Sequence, residues 1–501
     1  MSAPGKIVVV GGGLAGITAA IALREVGADV TLIEARPRLG GATTSFSRGG
    51  LMIDNGQHVF LRCCVAYQGL LARLGMTGAV TMQDRFDVTV LAPGRRARLR
   101  RTALPGPLHM GRALLGYQFL SPAQRLRVGR AALALAALDP ASPDLDRQRL
   151  GDWLAAHGQD EQTRRLLWDL FTVSALNVAG DDANLALAAT VVKIGLLGAR
   201  DAADIGVPAV PLGALHGRAG GALLARLGAQ VRLGTKAAAV EVAPGGPGAR
   251  LRVRLATRRG GGPADGAGET AGAGEAGPVL EADGVVLAVP PAAAARLAPA
   301  GTMGELAALG NGTGPGPAQW RELAASPIVN VHVIYDRRVT RLPFAAAVDS
   351  PVQWVFDRTS HSGLGSGQYL AVSLSAADGY VDMPTPALRE QFLPAMADLF
   401  PAAREARVSD FFVTRERRAT LRQVPGCERL RPPAATALPG LVLAGAWTDT
   451  GWPDTMEGAV RSGLNAVRAL RQGLAAPGGI SRPGTPAGWD RDLAAGTGAT
   501  A

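Results

Sequence analysis

The chain has 501 residues, of which 47% are hydrophobic and 19% are charged, so it is long enough to bury the cores of two or more domains. Its three cysteines are too few for a disulfide framework and indicate a reducing compartment. The net charge of +11 is not accompanied by any nucleic-acid-binding signature, which excludes nucleic acid as the expected partner.

The first predicted element is a strand–turn–helix–strand unit over residues 6–34, with KIVVV and ADVTLIE as strands and ITAAIALREVG as the helix. Gly11, Gly13 and Gly16 form a GxGxxG motif between the first strand and the helix. The first glycine would permit the tight turn, the second would let the backbone approach a pyrophosphate, and the third would allow close packing. Glu34 ends the second strand, where a carboxylate would bind ribose hydroxyls. The unit predicts a bound dinucleotide.

The segment EARPRLGGATTSF (34–46) decides which dinucleotide is expected. It continues with a basic residue, Arg38, and a second glycine pair, Gly40 and Gly41. A nicotinamide-binding domain does not need this second contact. A flavoprotein of the glutathione-reductase type does, because its buried FAD is held from a second side. FAD is therefore the predicted cofactor.

The next stretch, GQHVFLRCC (56–64), contains a histidine and two adjacent cysteines. His58, Cys63 and Cys64 would supply three metal ligands, but no fourth lies nearby. A disulfide between adjacent cysteines is strained, which disfavours a redox pair. We interpret DNGQHV as a loop that runs under a flavin ring, with the cysteines packed as small apolar residues. For His58, a hydrogen bond that fixes the loop and a catalytic role facing the substrate both remain open.

Residues from about 66 to 200 read as largely helical. Within them, GRRARLRR (94–101) is interpreted as a hairpin strand with a solvated basic face, or as a contact with anionic lipid. The apolar stretch 108–138 with interspersed arginines would either roof an active site or dock on a membrane. The N-terminus is not typical of a signal peptide, and no apolar run of about 18 residues occurs. We expect a cytoplasmic protein with peripheral contact at the inner face of the cell membrane.

The second half of the chain returns to strands, which the sequence predicts at 229–242, 279–291, 328–335, 352–357 and 369–375. The last three suggest an antiparallel sheet. A Gly/Ala/Pro-rich insert (243–278) contains one strand, LRVRLAT, and ends in low-complexity sequence that we expect to be disordered. Residues 438–467 read as a strand, a loop and a helix beginning near Met456, whose N-terminus would face the flavin. No internal repeat is evident.

Together these segments resemble the FAD-containing amine oxidase and carotenoid desaturase superfamily over nearly the whole chain. More narrowly, GLMIDNGQHVFLRCC, LWDLFTVSALNVAG, ADGVVLAVP and LAGAWTDTGWPDTMEGAVRSG resemble the squalene-associated FAD-dependent desaturases, the hydroxysqualene dehydroxylases. The resemblance implies a two-domain α/β flavoprotein with a Rossmann-like FAD-binding domain of the glutathione-reductase type and a discontinuous α+β substrate domain. The expected ranges are 1–62, 206–296 and 436–474 for the FAD-binding domain, 63–205 and 297–435 for the substrate domain, and 475–501 for a disordered tail.

The activity implied by the resemblance is reductive removal of the hydroxyl of hydroxysqualene to give squalene for hopanoid or related triterpene synthesis. A hydride would come from N5 of reduced FAD, and an acid would protonate the leaving hydroxyl. Candidate acids are His58, Asp449, Asp454 and Glu457, and we predict His58 or Asp454 as the catalytic residue. Expected partners are the C30 isoprenoid substrate and squalene-synthase-like and cyclase enzymes. The alternatives are a carotenoid-type polyene desaturase or isomerase, and a non-catalytic FAD-binding scaffold for a squalene-synthase-like enzyme.

Several positions depart from the wider family. Thr455 stands where amine oxidases carry an aromatic wall of the amine cage, and Asn330 where they carry a lysine water-bridged to flavin N5. Ala42 replaces a frequent arginine, and Asp449 is the substitute candidate for the acid that usually meets the ribityl chain. The predicted FAD contacts are Gly11, Gly13, Leu14, Ala15, Gly16, Glu34, Ala35, Arg38, Gly40, Gly41, Ala42, Gly56, Gln57, Val240, Gly445, Asp449, Met456 and Glu457.

Overall fold

The structure is a computed structural model that describes residues 5–104, 108–244, 250–257, 277–303 and 314–474. The low-complexity end of the Gly/Ala/Pro-rich insert and the C-terminal tail, for which the sequence predicts disorder, lie outside the described residues. No helix in the described part of the chain combines the length and the apolar character needed to cross a bilayer.

The described strands belong to five sheets. In chain order they are β1 Lys6–Val10, β2 Asp29–Ile33, β3 Ser45–Arg48, β4 Leu51–Asp54, β5 Phe60–Leu61, β6 Val80–Met82, β7 Asp87–Ala92, β8 Arg95–Arg100, β9 Ile205–Pro208, β10 Gln230–Arg232, β11 Ala237–Val242, β12 Leu251–Leu255, β13 Val279–Ala282, β14 Gly284–Leu287, β15 Ala325–Tyr335, β16 Phe344–Ala347, β17 Trp354–Asp357, β18 Gln368–Leu374, β19 Val408–Leu421 and β20 Leu441–Leu443.

The helices lie mainly in the stretch after β8 and at the two ends of the chain. They are α1 Leu14–Glu25, α2 Val65–Arg73, α3 Leu108–Leu115, α4 Pro122–Ala137, α5 Leu150–Ala156, α6 Glu161–Thr163, α7 Asp169–Leu176, α8 Leu185–Thr190, α9 Ala219–Arg226, α10 Pro291–Leu297, α11 Pro317–Trp320, α12 Thr359–Ser362, α13 Thr385–Leu399 and α14 Met456–Leu474. Within the ranges that the structure describes, three π-helical turns occur, at Arg164–Trp168, Val191–Leu196 and Gly213–Arg218.

A five-stranded parallel sheet in the order β10-β2-β1-β14-β20 forms the base of the first half. Its central strand, KIVVV, is an apolar run because both faces of a parallel sheet are covered. Helices α1 and α14 pack together, and their apolar residues share one core with Val9 and Val286. The other face of the sheet, with Val8 and Leu443, packs on the antiparallel sheet β11-β12-β13. This arrangement confirms the predicted strand–helix–strand unit.

The predicted single strand over 279–291 is wrong, because the chain changes sheets within it. Strand β13 pairs with β12 in the antiparallel sheet, whereas β14 lies between β1 and β20 in the parallel sheet. Asp283 lies at the change: its N–H donates to the Lys6 carbonyl at 2.8 Å, and its carboxylate accepts from the Lys6 N–H at 2.8 Å. These two bonds align β14 with β1.

A seven-stranded sheet in the order β19-β15-β18-β17-β16-β7-β8 forms the base of the second half. Its neighbours are antiparallel except β16 and β7, so the predicted antiparallel sheet is confirmed and is larger than expected. The region 66–200 is less helical than predicted, because it also contributes β6, β7 and β8. The hairpin interpretation of GRRARLRR is confirmed: β8 pairs with β7, and Arg98 and Arg100 both pair with Asp87.

The strands of the parallel sheet fall within the ranges predicted for the FAD-binding domain, and those of the seven-stranded sheet within the ranges predicted for the substrate domain. The small sheet β5-β9-β6 takes strands from both sets. It therefore lies where the two predicted domains meet, and the boundaries themselves stay a prediction.

A buried ion pair joins β4 to the seven-stranded sheet. The Asp54 carboxylate, at the end of β4, accepts from Arg358 Nη2 at 2.7 Å, and both side chains are buried. The other carboxylate oxygen accepts from the Leu212 N–H at 2.9 Å and from the Ser45 hydroxyl at 2.6 Å. Arg358 Nη1 also donates to the Pro208 carbonyl at 3.3 Å. Buried charges are tolerated when they are paired and hydrogen-bonded in this way.

Replacing Arg358 by methionine should lower the free energy of unfolding by about 3–5 kcal/mol, because it leaves the Asp54 carboxylate buried without its counter-charge. Arg98→Met is the matched control, since the Arg98 side chain pairs with Asp87 but is 60% exposed. The control should cost only about 0–1 kcal/mol. Urea unfolding followed by circular dichroism measures both. Equal losses in the two variants would contradict the special role of the buried pair.

Candidate functional site

A cavity of about 2080 Å³ is lined by residues of the parallel sheet, the loop after β4, the helices after β8 and the seven-stranded sheet. Pockets for a single small ligand are typically about 300–1,000 Å³. The cavity is therefore large enough for a dinucleotide and a second molecule together.

The glycine turn after β1 forms one wall of the cavity. Gly11 has a φ of +110°, and a Cβ there would lie 2.2 Å from the Ala288 carbonyl oxygen. At Gly16 a Cβ would lie 1.9 Å from the Gly11 oxygen, so the predicted close packing of helix on turn is present. Gly13 differs, because an added Cβ would meet only the Gly41 Cα, at 3.7 Å. Gly13 thus leaves open space at the N-terminus of α1, where an anionic group is favoured.

The Glu34 carboxylate is held in the cavity wall by two backbone donors. It accepts from the Gly12 N–H at 2.7 Å and from the Arg36 N–H at 2.8 Å. Ala35 lies beside it in the lining. Because both bonds come from the backbone, they fix the carboxylate next to the glycine turn.

The second glycine pair lies against the first turn. The Gly40 N–H donates to the Gly12 carbonyl at 2.8 Å, and Gly41 and Ala42 also line the cavity. Arg38, which the sequence predicted as a cofactor contact, is exposed and lies outside the lining. Arg36 takes the basic position instead: it lines the cavity and donates to the Gly41 carbonyl at 3.3 Å. Sequence reasoning missed Arg36, although it lies only two residues away.

The loop after β4 crosses the cavity with Gly56, Gln57 and His58 in its lining. Asn55 anchors it, because its side chain accepts from the Thr44 N–H at 3.0 Å and donates to the Ala42 carbonyl at 2.8 Å. From the other side Asn330 Nδ2 donates to the Asn55 carbonyl at 3.2 Å. The buried Gln57 Nε2 has no partner within the described chain. An unpaired buried donor in a cavity wall fits a ligand that accepts a hydrogen bond there.

The C-terminal segment closes the same end of the cavity with Gly445, Met456 and Glu457. A buried arginine that sequence reasoning missed, Arg431, holds this loop: its Nη2 donates to the Ala446 carbonyl at 2.9 Å and to the Thr448 carbonyl at 2.7 Å. The two carbonyls follow Arg431 by 15 and 17 residues, whereas its one local partner, Glu428, accepts from Nη1 at 2.7 Å and gives no sign of the contact with this loop.

Two further predicted contacts lie away from the cavity. Asp449 is exposed and accepts only from the Gly451 N–H, at 3.3 Å, within the described chain. Val240 is buried in the middle of β11, opposite Val253. The predicted FAD contacts that line the cavity are Gly11, Gly13, Leu14, Ala15, Glu34, Ala35, Gly40, Gly41, Ala42, Gly56, Gln57, Gly445, Met456 and Glu457, whereas Gly16, Arg38, Val240 and Asp449 do not line it.

Glu457 lines the cavity, but its carboxylate already accepts hydrogen bonds from three donors. Its carboxylate accepts from the Tyr67 N–H at 2.7 Å and the Ala66 N–H at 3.2 Å, which caps the N-terminus of α2. Arg461 Nε donates to it at 2.7 Å. Burial raises the pKa of Glu457, and Arg461 opposes that effect. The carboxylate therefore has a structural role as a helix cap.

The two predicted catalytic residues, His58 and Asp454, both line the cavity. Burial lowers the pKa of His58, so its imidazole is neutral near pH 7. Its Nδ1 lies 3.3 Å from the Gly56 carbonyl, a contact within its own loop. Burial raises the pKa of Asp454, against the opposing effects of the Leu421 N–H and Arg431. The Leu421 N–H donates to Asp454 Oδ2 at 2.6 Å, whereas Oδ1 has no partner within the described chain. The raised pKa of Asp454 favours its protonated form, whereas the lowered pKa of His58 favours the neutral ring.

Polar and charged side chains, among them Lys236, Glu416 and Arg418, line part of the remaining wall, and the rest of it is apolar. The apolar part is formed by α7, the π-helical turn Val191–Leu196 and strand β17, together with the thiols of Cys63 and Cys64. A hydrogen bond with Cys63 and burial raise the pKa of Cys64 well above its usual value, which favours the uncharged Cys64 thiol. The apolar lining side chains are Leu61, Phe86, Leu170, Phe171, Val191, Ile194, Leu196, Ile205, Trp354 and Phe356. This end of the cavity suits a long hydrocarbon.

The chain is similar in sequence and in fold to several known proteins. The profile of a family described as flavin containing amine oxidoreductase matches residues 14–471. Hydroxysqualene dehydroxylase of Rhodopseudomonas palustris is 29% identical over 469 residues, which cover 92% of this chain and 96% of that protein. Zeta-carotene desaturase of Arabidopsis thaliana is 25% identical over 519 residues, which cover 92% and 84% of the two chains. The solved structure of cyclohexylamine oxidase from Brevibacterium oxydans matches with a TM-score of 0.66 at 19% identity, covering 93% and 98%. The structural likeness confirms the predicted two-domain α/β flavoprotein fold.

Replacing Gly13 by valine should abolish FAD binding without unfolding the protein, because the added side chain would occupy the open space at the N-terminus of α1. Gly78→Val is the matched control, since Gly78 is exposed and a Cβ there meets nothing within 4 Å. The parent and the control should purify yellow and release FAD, not FMN, on denaturation. A Gly13→Val variant that retains the flavin spectrum, or release of FMN alone, would contradict the site.

Proposed function

The chain belongs to the flavin containing amine oxidoreductase family and is a flavin-dependent oxidoreductase, and on this premise we propose that it binds FAD and reductively dehydroxylates hydroxysqualene to squalene. The proposal is supported above all by one cavity whose wall joins a dinucleotide-fitting end, an apolar end and the Asp454 carboxyl. The similarity to hydroxysqualene dehydroxylase over most of both chains points to the same reaction.

Bound FAD in its reduced form would supply a hydride to the substrate. The overall change is then R–OH plus a proton plus a hydride, giving R–H and water. Hydroxide is a poor leaving group, so the C–O bond breaks only if an acid protonates the oxygen. The chain must therefore provide a proton donor, a dry apolar site for the hydrocarbon, and a wall that fixes the cofactor.

Asp454 meets the first requirement. Its raised pKa favours the protonated carboxyl, and the bond from the Leu421 N–H holds one oxygen while leaving the other available. The Asp454 N–H donates to Gln423 Oε1 at 2.9 Å, which fixes the residue from its backbone as well. His58 would position the loop that carries Gly56, and its neutral ring makes it the weaker acid.

Amine oxidation is disfavoured by two positions. Thr455 lines the cavity where an aromatic cage wall would stand, so no cation–π support for an amine is present there. Asn330 is buried, and its amide nitrogen is bonded to the Asn55 carbonyl. It offers neither an ammonium group nor a water-bridging amine.

A polyene desaturase is the second candidate, because the chain is also similar to zeta-carotene desaturase. That reaction would take a hydride from the hydrocarbon instead of giving one, and it has no hydroxyl to protonate. Incubation of the isolated protein with hydroxysqualene and chemically reduced FAD, with products identified by gas chromatography, separates the candidates. Squalene formation supports dehydroxylation, and turnover by the isolated protein also excludes a non-catalytic scaffold. A squalene-synthase-like enzyme would supply the substrate and a cyclase would consume the product.

Asp454→Asn should keep the flavin spectrum and slow squalene formation by roughly 10²–10⁴-fold, because the amide cannot give up a proton as a general acid. Asp449→Asn is the matched control from the same segment, and it should turn over at the parent rate because Asp449 is exposed. His58→Ala should retain more activity than Asp454→Asn. If Asp454→Asn forms squalene at the parent rate, the acid lies elsewhere.

The pH dependence of the reaction rate should also report on Asp454. A raised pKa means that Asp454 carries its proton below that pKa and loses it as the pH rises through it. The single-turnover rate with reduced flavin should therefore be highest at low pH and fall on the alkaline side. This alkaline limb should disappear in Asp454→Asn and persist in Asp449→Asn. A limb that persists unchanged in Asp454→Asn would assign it to another group.

A further inference from the structure

The most exposed large apolar side chains of the described chain cluster in one short region. Five leucines between residues 104 and 133 are 51–69% exposed, whereas every other exposed large apolar residue is at or below 46%. The five are Leu104, Leu108, Leu115, Leu126 and Leu133. Leucines scattered singly over a surface need no explanation, but a cluster of this kind marks an interaction surface.

Two packed helices present these leucines in the same pattern. On α3, Leu108, Arg112 and Leu115 are exposed at spacings of four and three residues, which places them on one face. On α4, Leu126, Arg130 and Leu133 repeat the pattern. The helices are adjacent, because a Cβ at Gly129 would lie 3.7 Å from Leu114 Cδ2 and Arg125 Nη1 donates to the Leu115 carbonyl at 2.6 Å. We call Leu104 and these six residues the leucine–arginine face.

The segment that carries this face has charges of one sign, although four of its arginines pair with acids elsewhere: Arg98 and Arg100 with Asp87, Arg101 with Asp204, and Arg127 with Asp160. Residues 88–138 contain nine arginines and no aspartate or glutamate. Arg112 and Arg130 are exposed and form no ion pair within the described chain. An apolar surface studded with unpaired cations is complementary to an anionic lipid surface. Two copies of the face would instead bring like charges together, which disfavours self-association.

Only one layer of chain separates the leucine–arginine face from the apolar end of the cavity. Helix α4 packs on the π-helical turn Val191–Leu196. In that turn Val191, Ile194 and Leu196 line the cavity, while Lys193 Nζ reaches outward to the Leu138 carbonyl at 3.3 Å. Helix α3 meets the same turn, since His109 Nε2 lies 3.0 Å from the Leu196 carbonyl oxygen.

We propose that the leucine–arginine face is the surface on which this protein docks to an anionic lipid bilayer, with the apolar end of the cavity directly above the acyl chains. The leucines enter the headgroup boundary and the arginines contact anionic headgroups. The docking surface stands on the exposed residues alone. The proposal rests on the proposed function in one respect only: the identity of the substrate that enters the cavity from the bilayer, a C30 hydrocarbon alcohol.

Vesicle flotation tests the proposal with the full chain. The parent should bind vesicles of equal parts phosphatidylcholine and phosphatidylglycerol at low salt, and should bind pure phosphatidylcholine at least about tenfold more weakly. The double variant Leu115→Ser/Leu126→Ser should lose binding by at least about tenfold, because two apolar contacts are removed. Arg112→Gln/Arg130→Gln should lose about tenfold on the anionic vesicles and show a weaker salt dependence.

Matched controls use exposed residues elsewhere. Leu233→Ser/Val279→Ser removes two apolar side chains of 44% and 46% exposure, and Arg226→Gln/Arg338→Gln removes two exposed arginines. Both controls should bind as the parent does. Binding that is absent in the parent, or that is unchanged in the leucine variant, overturns the proposal. A parent dimer in light scattering that becomes monomeric in the leucine variant, with no lipid dependence, would assign the face to a second copy and also overturn it.

Failure of the docking proposal is distinguishable from failure of the proposed function. Turnover of hydroxysqualene presented in detergent micelles reports on the chemistry, and the leucine variant should match the parent there. With substrate in anionic vesicles, the same variant should be slower by about the factor by which its vesicle binding falls. Turnover equal to the parent's in both settings would overturn docking while leaving the reaction intact.

Discussion

The buried ion pair between Asp54 and Arg358 is the contact on which the rest of the site depends. It fixes the end of β4, and the next residues form the loop that crosses the cavity. Asn55 then ties this loop to the Ala42 carbonyl in the second glycine segment, and Asn330 ties it to the seven-stranded sheet. These directed polar bonds to backbone groups fix the positions of the cavity walls.

Local geometry explains which parts of the site the sequence could predict. The turn at Gly11, the packing at Gly16 and the carboxylate of Glu34 all lie within one strand–helix–strand unit, residues 6–34, and their spacing within it is enough to predict them. The spacing alone does not tell whether Arg36 or Arg38 lines the cavity, because that depends on how their loop lies against the first glycine turn. The role of Arg431 cannot be predicted locally either, because it binds the carbonyls of a loop that lies 15 and 17 residues further along the chain.

In the fold, too, local features could be predicted from the sequence, whereas features that depend on distant contacts could not. The parallel sheet follows from the apolar run of β1 and the glycine motif, whereas the break at Asp283 lies inside a nearly continuous apolar stretch. Only the Asp-Gly pair at 283–284 hints at a change of direction, and its effect depends on Lys6, which lies 277 residues earlier in the chain. The prediction of helices over residues 66–200 misses the β7–β8 hairpin, because apolar periodicity alone does not reveal a hairpin whose exposed face is basic.

Burial has opposite consequences for the two residues predicted as acids, His58 and Asp454, which both line the cavity. Desolvation penalises the charged form of each, so it lowers the pKa of His58 and raises the pKa of Asp454. Both shifts favour the uncharged side chain, and the position at which amine oxidases carry a lysine holds the buried, uncharged Asn330. The proposed reaction passes through a carbocation, which favours an uncharged side chain at this position. A nearby ammonium would raise the energy of the cation, whereas a protonated carboxyl becomes an anion as the water leaves and stabilises it.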